Sequence, residues 1–220
     1  MNSKREKMLN EIGFYMPENE IFILDWFKIS KIQNLSEEFM KEFKDKINWT
    51  IISHSQKMTE DFILEFQNKI GWDNISLNQN LSENFIRAHQ DKIEWTSIPI
   101  SQNLSETFIR EFVSKLDWMH ISSNQKLSED FIREFQNKVC WERVSSNQIL
   151  SDEFLLEFKN SIVWDRYFDL QKASFPIIKQ FILKSNIKSI KTLKSKHLSK
   201  MQMQEIERIL SLKSIFNAYK

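Results

Sequence analysis

The hydrophobic and polar residues of this chain follow a pattern that returns every 23 residues. Counted from a tryptophan, most periods carry Ile or Val at +3, Ser at +4, Gln at +7, Leu at +9, Ser at +10, an acid at +11, and Phe at +13 and +17. The seven tryptophans are Trp26, Trp49, Trp72, Trp95, Trp118, Trp141 and Trp164. A period of about 20 to 50 residues indicates tandem copies of one supersecondary unit. We number the units 1 to 7 by their tryptophans.

The second half of each unit predicts an amphipathic helix. In unit 5, Ser128 is placed to cap the helix, and Glu129 and Asp130 follow in the first turn, where the helix dipole favours acids. Leu127 and Ile132 have the spacing of a hydrophobic staple. The apolar stripe consists of Phe131, Phe135 and Val139. These signals predict a helix of about ten or eleven residues, which is too short to be stable unless it packs on its neighbours.

The first half of each unit predicts a second, shorter helix or a single helical turn. In unit 5, Trp118, Ile121 and Gln125 have helical spacing, and Asp117 precedes them as a possible cap. Each unit is then a helix pair. We predict an all-α fold, a right-handed or shallow α-solenoid of about seven short two-helix repeats with a helical C-terminal cap.

The two ends of the chain depart from the repeat. We predict an N-terminal cap at 1–25, tandem repeats at 26–170 and a basic helical cap or tail at 171–220. Residues 1–170 carry 20 Lys or Arg and 28 Asp or Glu, whereas residues 171–220 carry 11 and 2. This asymmetry fits either docking of the tail on its own acidic repeats or binding of nucleic acid, a membrane surface or an acidic partner. The candidate basic patch is Lys188, Lys191, Lys194, Lys196 and Lys200.

Two polar series within the repeat have structural explanations. Bases recur at +15 and +20, but most follow a Glu by four residues, as Arg133 follows Glu129 and Lys138 follows Glu134. This order favours ion pairs on a solvated helix face over a groove that follows phosphates. The glutamine at +7 hardly varies, which favours a buried ladder that satisfies backbone groups over base-by-base reading of nucleic acid.

The positions +1, +2, +5 and +6 vary from unit to unit, as expected for the binding face of a solenoid or for unconstrained surface. The candidate partner face is Asn74, Ser97, His120 and Arg143. Two departures from the repeat occur in consecutive units: His89 replaces Phe at +17 in unit 3, and Pro99 replaces Ser at +4 in unit 4. They fit either a local notch or kink or tolerated drift.

No signature of catalysis, metal binding or a cofactor is present in the sequence. His54, His89, His120 and His197 lie in unrelated positions, and Cys140 has no base that the sequence points to. We therefore expect no enzyme, no catalytic residues, no metal and no cofactor. The apolar runs are too short to span a membrane, and one cysteine suits a reducing compartment, so we expect an intracellular protein.

The string "ISSNQKLSEDFIREFQNKVCW", residues 121–141, is similar to a tandem Trp- and Phe-containing repeat found in proteins of large DNA viruses. The resemblance covers about residues 26–170 and implies a repeat protein, a viral source and a location in the host cytoplasm or the virion. It carries over no functional residues. We expect a scaffold for protein–protein interaction, and as the alternative a protein that binds nucleic-acid phosphates through its basic tail.

Overall fold

The structure is a computed structural model that describes residues 7–9, 13, 25–32, 34–171, 173–186 and 198–218. Within this part of the chain every regular element is a helix, which confirms the predicted all-α repeat fold. Two compact bodies form, residues 1–104 and 105–220. The predicted N-terminal cap at 1–25 falls almost wholly outside the described residues.

Each unit contains a helix that begins at or near the tryptophan, the Trp helix, and a second helix, the Phe helix, which ends at +16 in units 1 to 6 and at +17 in unit 7. The Trp helices are Trp26–Ser30, Trp49–Ser55, Trp72–Asn78, Ile98–Ser101, Trp118–Asn124, Trp141–Asn147 and Trp164–Leu170. The Phe helices are Glu37–Glu42, Glu60–Glu65, Glu83–Ala88, Glu106–Glu111, Glu129–Glu134, Asp152–Glu157 and Phe175–Phe181. A 3-10 helix at Ile182–Lys184 and a helix at Lys200–Ala218 complete the second body.

The Trp helices resolve the choice between a helix and a single turn. Most have seven residues, and Asp25, Asn48 and Asp117 cap their units with side chains that accept hydrogen bonds from backbone N–H groups of the first turn. Gly71 and Cys140 occupy the same position without a side-chain cap bond. Capping therefore contributes in some units only, and packing between units must supply the rest of the stability.

The Phe helices are shorter than predicted. In unit 5 the helix has six residues and ends at Glu134, after which Phe135 leaves helical geometry and the chain turns, with Lys138 and Val139 N–H both donating to the Phe135 carbonyl. Phe131, Phe135 and Val139 lie on the same side of the chain whether residues 135–139 form a turn or continue the helix. Their spacing in the sequence therefore does not distinguish the two structures. The indole N–H of Trp141 donates a hydrogen bond to the Gln136 carbonyl at 3.0 Å, which helps to fix the end of this helix.

An aromatic triad fills the core of each regular unit. In unit 5 the Trp118 ring lies 6.2 Å from Phe131 and 5.0 Å from Phe135, and the two phenylalanine rings are 4.7 Å apart. Phe131 and Ile132 are fully buried. Within each body the Trp helix of one unit contacts that of the next, as in an α-solenoid.

The departures at His89 and Pro99 have separate outcomes. The His89 ring keeps the aromatic triad of unit 3, 4.5 Å from Phe85 and 5.8 Å from Trp72. Pro99 shortens the Trp helix of unit 4, so that Trp95 lies in a turn and the helix begins only at Ile98. Proline lacks the N–H that would donate to the Trp95 carbonyl, and its ring crowds that carbonyl.

The last unit has an apolar core that the final helix extends. Trp164 is buried and stacks on Phe181 with the ring centroids 4.1 Å apart. Phe168 replaces the serine at +4, and Tyr167 is buried beside it. The helix Lys200–Ala218 covers this core with Ile206 and Leu210. The expected helical C-terminal cap is thus present in the described residues.

Burial of Tyr167 gives a prediction for alkaline pH. Loss of solvent raises the pKa of its phenol to about 12, with a smaller contribution from the charge of Asp152. Because the folded chain favours the neutral phenol and an unfolded chain ionises near pH ~10, this contribution to stability is complete below that pH and is lost as pH rises towards 12. Ultraviolet titration of the wild type minus Tyr167→Phe should show one phenol ionising near pH 12. A difference that titrates at the ordinary value would contradict the burial.

Candidate interaction surface

A buried glutamine ladder joins consecutive units. Gln148 accepts a hydrogen bond from the Leu127 N–H at 3.1 Å and donates to the carbonyls of Ser122 at 2.9 Å and Gln125 at 2.8 Å. Gln79 and Gln102 make the same three kinds of bond to their preceding units, and the first body thus repeats the arrangement. The predicted structural role of this series is confirmed. Gln33 lies outside the described residues.

The serine at +4 forms a second link between units, and sequence reasoning missed its role. Ser122 is fully buried, donates its hydroxyl hydrogen to the Trp118 carbonyl at 2.6 Å and accepts from the Cys140 N–H at 2.9 Å. The same two bonds recur at Ser30, Ser53, Ser76 and Ser145. The fixed 23-residue spacing of this serine was the available signal, because a buried hydroxyl must find partners.

The acid at +11 reaches the cap of the following Phe helix. Glu106 accepts from the Ser128 N–H at 2.6 Å, while the Ser128 hydroxyl accepts from the Phe131 N–H at 3.1 Å. Glu129 makes the equivalent bond to Ser151. The predicted serine caps are confirmed, and the first-turn acids also connect neighbouring units.

The base at +15 pairs across units as well as within its own helix. Arg133 lies 2.8 Å from Glu157 of the next unit, 2.8 Å from Asp130 and 3.6 Å from Glu129 of its own helix, and its guanidinium lies 5.0 Å from the Phe154 ring. The hydrogen bond to Glu157 raises the Arg133 pKa above its ordinary value.

The ion pairs predicted between +16 and +20 were wrong for two units. Glu134 pairs with Arg110 at 2.8 Å and not with Lys138. Glu65 pairs with Lys41 at 2.6 Å, and Lys69 pairs with Asp45. A pair four residues apart needs a continuous helix, and the Phe helices end at the +16 acid.

On this frame the variable positions form an exposed surface, the Trp-helix face, defined as +1, +2, +5 and +6 of each unit. In the first body it is poor in charge across units 2 to 4. Asn74 and Ser97 are half-buried there, and Leu77 and Ile100 are 44% and 46% exposed. The structure places the two candidate residues on successive units whose Trp helices touch.

The Trp-helix face of the second body has a different chemistry. His120 is half-buried, with its Nδ1 atom 3.6 Å from Asp117. Arg143 is exposed, and its side chain makes no ion pair with the described residues. Glu142 and Arg166 pair across adjacent units at 3.0 Å. These charges lie at +1 and +2, whereas the exposed apolar side chains of the first body lie at +5, where units 5 and 6 carry Ser123 and Ser146.

The candidate basic patch is largely outside the described residues, which include only Lys200 among its members. Lys200 is exposed at the start of the last helix. That helix packs on its own body, where Glu205 pairs with Lys179 at 2.6 Å and Lys213 donates to the Ser185 carbonyl. The described part of the tail therefore acts as a cap.

Among the described residues, no group of three or more His, Cys, Asp or Glu side chains is arranged to hold a metal ion. Cys140 is half-buried, and its backbone caps the Trp helix of unit 6. The helices in this part of the chain include none long and apolar enough to cross a membrane. Comparison with protein-family models, curated proteins and solved structures found no match to this chain.

Proposed function

We propose that this protein is a non-catalytic scaffold that binds a protein partner through its Trp-helix face. The observation that carries the proposal is the contrast between a repeated buried frame and a varied exposed face. The glutamine and serine links recur from unit to unit, whereas the face changes from Leu77 and Ile100 to His120 and Arg143. Solenoid repeat proteins generate specific binding surfaces in this way. If the chain belongs to the viral repeat proteins it resembles, the partner is a host protein or a virion component.

The apolar half of the face offers the sharper test. The double variant Leu77→Glu and Ile100→Glu adds charge at two exposed positions beside Asn74 and Ser97, where it should block an apolar contact without disturbing the buried frame. The control changes Ile149 and Leu156 to Glu, since these residues are 93% and 43% exposed but lie outside the face. The readout is the set of proteins retained by each full-length variant from cell extract.

We expect the wild type and the control to retain one common protein that the face variant loses, while all three chains keep the same circular dichroism spectrum. Equal retention by all three would contradict the proposal. Loss in the control as well would place the contact elsewhere on the surface.

The second candidate function is nucleic-acid binding by the tail, supported by the 11 basic against 2 acidic residues in 171–220. Residues after Leu170 form part of the core, so the charge must be removed by substitution and not by truncation. The test changes the patch to glutamine in the full chain and follows the anisotropy of a labelled oligonucleotide as salt is raised. Unchanged binding and salt dependence would exclude a role for the patch. The substituted residues are Lys188, Lys191, Lys194, Lys196 and Lys200.

A further inference from the structure

The turns that follow the Phe helices of the second body form a basic edge. We call it the turn ridge and define it by residues 113–115, 136–138, 159–161 and 182–184. Each turn carries one exposed lysine, and none of these twelve residues is Asp or Glu. The lysines are Lys115, Lys138, Lys159 and Lys184.

The ion pairing of the frame leaves part of this charge unneutralised. Glu134, which has the spacing to pair with Lys138, is held by Arg110 of the preceding unit. The ammonium groups of Lys138 and Lys159 make no ion pair or hydrogen bond with the described residues. Lys184 lies 5.5 Å from the Phe181 ring, a contact that leaves its charge uncompensated.

Two indole rings reach the turns that carry Lys115 and Lys138. The indole N–H of Trp118 donates to the Val113 carbonyl at 3.2 Å, and that of Trp141 donates to the Gln136 carbonyl at 3.0 Å. Both rings are half-buried, so each packs on the core of its unit and keeps part of its surface accessible to solvent. The exposed amides of Asn137 and Asn160 add hydrogen-bonding groups between the charges.

The equivalent turns of the first body differ. Lys69 is paired with Asp45 at 2.9 Å and lies 6.0 Å from the Trp49 ring. Lys92 donates to Gln67 and lies 5.3 Å from the Trp72 ring. Lys69 and Lys92 are engaged with protein groups, as is Lys115 of the ridge, which lies 5.8 Å from the Phe112 ring. The first body supplies a control with lysines at the same repeat positions, Lys44 at +18 like Lys159 and the others at +20.

We propose that the turn ridge binds single-stranded nucleic acid. A row of lysines without acids attracts phosphates and gains free energy by counterion release. Packed helices stand about 8–10 Å apart, so the row presents its charges at regular intervals along an extended polyanion. The partly accessible indoles suit stacking with unpaired bases, a ligand feature that an acidic peptide lacks. This site goes beyond the proposed scaffold function and uses residues separate from the tail patch.

The test measures anisotropy of a labelled oligodeoxythymidine with the full chain across a salt series. The ridge variant changes its four lysines to glutamine, Lys115, Lys138, Lys159 and Lys184. The control variant makes the same change at four lysines of the first body, Lys44, Lys46, Lys69 and Lys92. At low salt we expect the ridge variant to bind at least about tenfold more weakly than the control, with a slope of log affinity against log salt lower by about 3.

Four outcomes would overturn the proposal. The wild type could fail to bind at low salt, or the ridge and control variants could lose the same affinity. Polyglutamate could also compete as well as an oligonucleotide of equal charge, which would assign the ridge to an acidic protein. Loss of binding confined to the tail variant would assign nucleic acid to the tail. None of these results bears on capture of a protein by the Trp-helix face, so the two proposals fail independently.

Discussion

Replacement of Phe131 by Ala should destabilise the second body by about 3–5 kcal/mol. Phe131 is fully buried and packs against Trp118 and Phe135. The Arg110 guanidinium of the preceding unit lies 4.8 Å from its ring, so truncation also removes part of the packing between units. The cavity would lie among elements fixed by the glutamine and serine links, which limits its collapse. Chemical denaturation followed by tryptophan fluorescence and by circular dichroism measures the loss.

The adjacent Phe135→Ala is the matched control. Phe135 belongs to the same aromatic triad but is only half-buried at the start of the turn. Its replacement by Ala therefore removes less buried apolar surface than the replacement of Phe131. We expect a clearly smaller loss of stability than at Phe131. Equal losses, or an unchanged denaturation midpoint for Phe131→Ala, would show that the aromatic triad does not form the core of the unit.

Sequence reasoning predicted those features that each unit determines locally. The cap at Ser128 and the buried stripe through Phe131 follow from side-chain types at short spacing, and both are present. The ladder at Gln148 was predictable because an uncharged polar residue that recurs at one position needs a structural reason. The two-helix unit and the all-α class follow from the same period.

Ion pairs between neighbouring units were beyond the reach of local reasoning. The spacing of Glu134 and Lys138 fits a helical ion pair, but the helix ends at Glu134, and Arg110 from the preceding unit takes the acid. No pattern within one unit shows whether the base of the same unit or that of the preceding unit lies closer to Glu134. Part of the turn ridge was missed for the same reason, since Lys138 was assigned to Glu134, which Arg110 binds. The varied face was predicted by position, but the exposure of Leu77 and Ile100 on it follows only from the structure.

Replacement of Gln148 by Leu should destabilise the second body by about 2–5 kcal/mol, because burial of unpaired polar groups costs about 1–3 kcal/mol each. The amide of Gln148 is the side-chain partner of the Leu127 N–H and of the Ser122 and Gln125 carbonyls. Leucine nearly fills the volume and adds apolar surface, so any loss reports the missing hydrogen bonds and not a cavity. Water cannot easily replace them, since Gln148 is 4% exposed.

The control for this change is Gln136→Leu. Gln136 is exposed in the turn ridge and donates one hydrogen bond to the Arg133 carbonyl, which water can replace. Its substitution should alter the free energy of unfolding by no more than about 0.5 kcal/mol.

Hydrogen exchange distinguishes loss of the glutamine ladder from loss of core packing. If the ladder holds neighbouring units together, Gln148→Leu should accelerate exchange of the Leu127 amide before global unfolding, whereas Phe131→Ala should accelerate exchange throughout unit 5. Unchanged protection of the Leu127 amide in Gln148→Leu would mean that packing alone, without the glutamine amide, joins units 5 and 6.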